Sequence, residues 1–345
     1  MLMEILNHFR LTVRLVRDTR VNKWLKIFLV FIPLAYVFLP FPPDDFLPLL
    51  GLLDDLLLLG VTTILFVTMC PESLVREHKL ILTGLLPSTR PINLEEYRCE
   101  TENRDLALGF LSAVAILLLG GYLAGVFLLL FFGLGYMATN LKRKQILANA
   151  VQAGVEYYPG LYEALKEVQR LLPPVKIDLF ITQDPTMNAY TFGYDEPYTI
   201  VLTSSLTEKL SETEVRAVIG HEMGHILLGH ARIISIVGTQ FGLGRLFFYK
   251  WSRSCEYSAD AAALIASKGN HIPLTSSLLK LTGEVVDPVD VENFLSQLDE
   301  TQESQGLEIF STHPFTKNRI RNLLRLVKQG EFRKKIGPED HRDSS

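Results

Sequence analysis

The sequence predicts an α+β fold, mainly helical with a small β-sheet, preceded by N-terminal membrane-associated helices and a transmembrane hairpin. Three observations carry this expectation. Leu106 to Met137 is a run of 32 residues without a charge, longer than the roughly 20 that one spanning helix needs. From Gln145 onward the texture changes to short β-like stretches set between helical ones. Within that second half, SETEVRAVIGHEMGHILLGH reads as an amphipathic helix with two histidines four residues apart. That spacing puts both imidazoles on one face, about one turn from each other.

The chain has 345 residues, 48% of them hydrophobic, and a mean hydropathy of +0.20. The apolar excess is concentrated before residue 140, which points to a lipid bilayer as a partner. A net charge of −4 gives no reason to expect nucleic acid as one. Cys70, Cys99 and Cys255 form no paired spacing, in keeping with a reducing compartment or with no dependence on disulfides. No cleavable signal peptide is expected, because the first apolar run lies behind a long basic segment without a small-residue cleavage site.

Residues 1–75 are expected to form a membrane-associated helical domain. Arg10, Arg14, Arg17, Arg20, Lys23 and Lys26 are interleaved with Leu, Val and Ile, a pattern suited to anionic lipid or to retention by the positive-inside rule. Asp44, Asp45, Asp54 and Asp55 interrupt the apolar sequence after Lys26, so it makes a poor plain spanning helix. Asp45, Pro48, Gly51, Asp54 and Asp55 fit a PDxxPxxGxxDD-like pattern. This stretch resembles a small bacterial domain of unknown function, the YkvA-like type, with Asp44 where that family has proline. The aspartates suit helix caps and turns better than a metal site.

Residues 76–105 read as a linker with short helices, and 106–140 as a transmembrane segment or hairpin that turns at Gly120-Gly121. The flank Leu141 to Lys144, LKRK, favours the cytoplasmic side for the domain after it. Residues 141–336 are expected to form the catalytic domain and 337–345 a flexible tail. In that domain Tyr158 to Leu172 reads as a helix stopped by Pro173-Pro174. Val175 to Gln183, Asn188 to Gly193 and Tyr198 to Thr203 read as strands. Ser204 to Leu210 reads as a short helix, and Ser211-x-x-Glu214 as a capping box that opens the histidine helix.

The chemistry rests on HEMGH. His221 and His225 suit two ligands of one zinc ion, and Glu222 sits one step around the helix, within reach of a water at that ion. Apolar residues on both sides indicate burial, and a buried histidine pair needs partners. A third ligand is offered by Glu256 in SRSCEYSAD. Asp260, four residues on, shares its helix face and is placed to accept the distal N–H of a ligand histidine. His230 competes as third ligand, but at the end of the same helix it suits packing or capping better. His313 and Arg319, in HPFTKNR, are the candidate donors to an oxyanion.

HEMGHILLGH, then SRSCEYSADAAAL, then STHPFTKNRI, is similar to the HtpX-like and CAAX-prenyl-protease superfamily of membrane zinc metallopeptidases, which are gluzincins. The resemblance runs from about Ala150 to Leu326. It implies a zincin-like metallopeptidase domain with one zinc ion per chain. His221, His225 and Glu256 would be its ligands, Glu222 the catalytic acid/base and Asp260 the residue behind a ligand. It further implies that Asn188, Ala189 and Tyr190 belong to an edge strand that accepts an extended polypeptide; the family's phenylalanine after Asn-Ala is Tyr190 here. Such a strand pairs with a peptide backbone by β-augmentation. The expected function is membrane-anchored peptide-bond hydrolysis, with membrane proteins or misfolded chains as substrates. The alternative is a catalytically silent membrane scaffold that keeps the zinc-binding fold.

Overall fold

The computed structural model describes residues 2–27, 29–30, 60, 62–64, 66–82, 94–112, 115, 137, 141, 143–193, 196–237, 243–281 and 316–328. The chain begins with α1 (Leu2–Arg17) and α2 (Glu72–Leu82), followed by a 3-10 turn, Leu94–Tyr97, and a helical stretch over 102–112. Then come β1 (Ala150–Gln152), α3 (Pro159–Leu171), β2 (Ile177–Thr182), β3 (Ala189–Phe192), β4 (Tyr198–Thr203) and α4 (Ser204–Lys209). The remaining helices are α5 (Glu212–Leu227), α6 (His230–Val237), α7 (Leu243–Ala266), α8 (Ile272–Leu281) and α9 (Thr316–Lys328). The described residues are thus mostly helical with one small sheet.

The sheet has the order β1-β2-β4-β3. β2 and β4 pair in parallel from Ile177↔Tyr198 to Thr182↔Thr203, and β1 and β3 flank them antiparallel. β4 is buried at every position, which is why YTIVLT reads as a continuous rather than an alternating strand. β3 is left at the edge. β1 escaped the sequence reading because it is three residues long and mostly exposed, with no alternation to detect.

The histidine helix departs from its expected character. α5 is buried from Glu214 almost without interruption to Leu227, so it is a central core helix rather than an amphipathic one. Helix α3, the sheet and α7 surround it, and one apolar cluster joins Leu165, Val168, Ile200, Ile219, Met223 and Ala262. Its start is the expected capping box: the Glu214 N–H donates to Ser211 Oγ at 3.4 Å and the Ser211 N–H donates to Glu214 Oε2 at 2.6 Å. Lys280 Nζ and Ser276 Oγ on α8 also donate to Glu214, at 2.8 and 2.5 Å, so the cap doubles as a tertiary joint. Ser211→Ala is expected to cost about 1 kcal/mol, seen as a lower thermal midpoint in detergent with zinc binding unchanged.

A second apolar cluster holds Leu11 and Leu15 of α1, Leu74 and Val75 of α2, and Phe248 and Trp251 of α7. α7 therefore serves two partners. Its first half belongs to this cluster, with the Phe248 ring edge-on to Phe110 of the 102–112 stretch, and its second half meets α5, with Glu256 at the junction. Among the described residues no helix is long and apolar enough to cross a membrane. The expected hairpin falls almost wholly outside those residues, as do the YkvA-like pattern, the segment before α9 that holds His313, and the tail.

Candidate metal centre

Helices α5 and α7 meet through small residues. A Cβ on Gly224 would stand 2.8 Å from Ala262 Cβ and 3.0 Å from Ala259 Cα, and one on Gly220 2.5 Å from Ala266 Cβ. The two backbones therefore touch over one helical turn. Gly220 and Gly224 on α5 leave no room for a Cβ against the alanines of α7, and the contact brings the Glu256 carboxylate up to both histidine rings.

The result is a three-donor cluster. His221 Nε2 and His225 Nε2 are 3.2 Å apart. Glu256 Oε2 is 3.4 Å from the first and Oε1 is 3.7 Å from the second. Ligands bound tetrahedrally at about 2.0–2.2 Å lie roughly 3.3–3.6 Å from one another, so the cluster has the spacing of a zinc site. Two imidazole nitrogens facing each other also leave lone pairs opposed unless a proton or a cation lies between them. The donor set fits zinc, with three protein ligands and an open position.

Each ring is held from behind. Asp260 Oδ1 lies 3.0 Å from His221 Nδ1, as the ExxxD spacing suggests. Arg319, from α9, donates to Asp260 at 2.9 and 2.5 Å and contacts Glu256 at 3.0 Å. Burial disfavours a charged His221, but hydrogen bonds to Asp260 and Glu256 outweigh it and push the ring up to about 9. Burial raises Asp260, yet the Arg319 guanidinium brings it below the usual carboxylate range. Arg319 thus neutralises two carboxylates away from water. Arg319→Met is expected to cost about 3–5 kcal/mol, because it leaves buried charges uncompensated; thermal unfolding of the chelated protein reads this separately from zinc affinity.

His230 differs from its expected place. α5 stops at Leu227, Gly229 adopts φ +81°, a conformation open to glycine, and His230 opens α6. The ring neither caps α5 nor joins the three-donor cluster. It is fully buried, with Nδ1 3.0 Å from His225 Nδ1 and Nε2 2.9 Å from Glu102 Oε1. Glu102 also contacts Arg98 and Ser258. Burial raises its carboxyl, but Arg98 outweighs this and brings it down to about 2. Residues 94–105, expected as a linker, are docked here: the Cys99 N–H donates to Ser258 Oγ at 2.8 Å, and Ser254 Oγ donates to Asp105 Oδ2 at 2.9 Å.

Glu222 faces an open cleft of about 960 Å³, lined also by His221, His225, Arg319 and the strand residues Asn188 to Phe192. Burial pushes its carboxyl above the ordinary carboxylate range. Asn188, Ala189 and Tyr190 are therefore brought together with the three donors. Sequence reasoning missed Gly220, Gly224 and the Arg98–Glu102 pair. The first two had a legible signal, the G-x-x-x-G spacing at 220–224 opposite the alanine-rich 259–266. The pair had none, since it reaches the site from more than 100 residues upstream.

Comparison with known proteins bears on this region. The model of peptidase family M48 matches residues 161–243 and 232–327. The chain is 29% identical over 183 residues to the plastoglobule-localized metallopeptidase 48 of Arabidopsis thaliana, covering 48% of this chain and 53% of that one. It is 28% identical over 211 residues to a protease HtpX homolog of Helicobacter pylori, covering 48% and 65%. Against a protease HtpX homolog of Bacteroides fragilis it is 29% identical over 194 residues, covering 41% and 60%. The matched part spans half to two thirds of these relatives' lengths. The S. mikatae Ste24p structure aligns with a TM-score of 0.32 and 15% identity over 92% of this chain and 98% of that one, too loosely to bear on the fold. The resemblance to HtpX-like metallopeptidases drawn from the motifs is upheld, by the M48 match over residues 161–327 and by the HtpX homologs among the relatives.

Proposed function

We propose, from a chain whose residues 161–327 match peptidase family M48, that the protein is a membrane-anchored zinc endopeptidase. The observation that carries this is the convergence of His221, His225 and Glu256 donors beside Glu222, in one cleft with an edge strand. His221, His225 and Glu256 would hold one zinc ion. When bound there, zinc supplies a Lewis acid and lowers the pKa of a water toward about 7. Glu222, raised by burial, takes the proton as water attacks the scissile carbonyl and passes it to the leaving amine. Asp260 keeps the His221 ring oriented. The free edge of β3, which starts at Ala189 next to Asn188 and continues through Tyr190, pairs with an extended substrate and presents it along the cleft. Arg319, or His313 from the same stretch, donates to the oxyanion.

The substrates in this reading are polypeptides, membrane proteins or misfolded chains above all, and the site works near a bilayer. The uncharged run from Leu106 to Met137 supports that setting. The exposed Trp24 and Ile27, next to the first apolar run, and Leu108 and Leu111, at the start of the second, are in keeping with it. The basic flank at Leu141 to Lys144 favours a cytoplasmic catalytic domain. The YkvA-like unit stays part of this proposal as the membrane-associated module.

The test is metal analysis with casein cleavage, comparing the wild type with Glu222→Gln. Bound zinc without any Glu222-dependent cleavage would favour the silent scaffold. Labelling of an introduced surface cysteine from outside only would overturn the cytoplasmic placement.

A further inference from the structure

We infer that Glu102, acting through His230, is a positioning residue of the metal centre: it fixes the His225 tautomer whose Nε2 is free to bind metal. The inference rests on reading His221, His225 and Glu256 as a zinc site, and it adds residues from outside the family-matched region.

Proton positions decide the matter. His225 Nε2 faces His221 and Glu256, so to serve as ligand it must carry a lone pair and its proton must sit on Nδ1. That Nδ1–H meets His230 Nδ1 at 3.0 Å, which must then accept. A neutral His230 that accepts at Nδ1 carries its proton on Nε2, and that N–H donates to Glu102 Oε1 at 2.9 Å. An ionised carboxylate accepts only, so one group at the end of the chain dictates both tautomers. Without it, His230 is free to place its proton on Nδ1. Two N–H groups would then meet, and His225 would be driven to the tautomer whose Nε2 is blocked.

The surroundings keep Glu102 in that state. It is fully buried, as is His230. Arg98 neutralises it, and Arg98 is itself fixed by Glu95 at 2.8 Å and by the Leu228 carbonyl at 2.9 Å, at the end of α5. Ser258, on α7 between the ligand Glu256 and Asp260, donates to the other oxygen of Glu102. Glu102, His230 and Cys255 also lie close enough to suggest a second metal site. The chemistry argues against it: the buried Arg98 guanidinium sits on the same carboxylate and would oppose a cation there.

Glu102 lies four residues before the uncharged run that starts at Leu106, on the helical stretch 102–112. The two ligand histidines are therefore held by different parts of the chain: His221 by α7 and α9, His225 by the helix that leads into the apolar run.

The experiment uses the full-length protein in detergent. Zinc affinity is measured by competition with a chromophoric chelator for wild type, Glu102→Gln, Ser258→Ala and Asp260→Asn. Loss of an outer partner of a ligand histidine typically weakens binding about 10–100-fold, and that is expected for Glu102→Gln. Ser258→Ala, a milder change that keeps the carboxylate, is expected to show a smaller loss and covers the case in which Glu102→Gln does not fold. Ring 15N shifts of the zinc-bound wild type are expected to show His225 protonated at Nδ1 and His230 at Nε2 only. Failure of the wild type to bind zinc would overturn the underlying reading. Wild-type affinity in Glu102→Gln, beside a weakened Asp260→Asn, would overturn this inference alone. So would a His230 protonated at Nδ1, or two zinc ions per chain.

Discussion

Glu222→Gln is expected to lower peptide hydrolysis by about 10²–10⁴-fold while the protein still binds one zinc ion. The separation comes from geometry. The three donors that converge belong to His221, His225 and Glu256, and Glu222 is a neighbour in the cleft rather than a member of the set. Glutamine keeps the size and polarity of the side chain but cannot take up a proton. Turnover of casein by the metal-replete variant, compared with its zinc content, is the measurement. Activity within a few-fold of wild type would remove Glu222 from the proton-transfer role. Loss of zinc would mean that it helps to hold the ion.

Gly224→Ala is expected to disturb the seam between α5 and α7. The added carbon would stand 3.0 Å from Ala259 Cα and 3.2 Å from the Ala259 carbonyl oxygen. Those are backbone atoms that cannot rotate away, so α5 and α7 must part. Overpacking of this kind costs about 1–3 kcal/mol, and here it also widens the gap between Glu256 and the two histidines. Both the thermal midpoint and zinc affinity should fall. Gly160→Ala is the control, because a Cβ there meets nothing within 4 Å, and it is expected to be neutral or slightly stabilising. If the two variants behave alike, the seam does not set the metal geometry.

These two residues show different degrees of legibility. Glu222 could be assigned a role from HEMGH alone, since a helix fixes what lies one step and one turn away. The same holds for Glu256 and Asp260 as a pair on one face. The strands 177–182, 189–192 and 198–203, helix α3 and the capping box of Ser211 and Glu214 were likewise local patterns, within a residue or two of where they form. The small strand β1 and the all-round burial of α5 were not, because both depend on what packs alongside.

His230 marks the boundary most clearly. From sequence it was one more histidine near the end of a helix. Its meaning depends on Gly229, which breaks the helix and turns the ring back toward His225, and on Glu102, which arrives from 128 residues away to meet it. The three donors and the neighbouring Glu222 are legible along the chain, because helical periodicity relates residues one step or one turn apart. How they are held is settled by packing: by Gly220 and Gly224 against an alanine face, by Arg319 across two carboxylates, and by Glu102 behind His230. Close approach of backbones and neutralisation of buried charge involve groups that no local spacing relates.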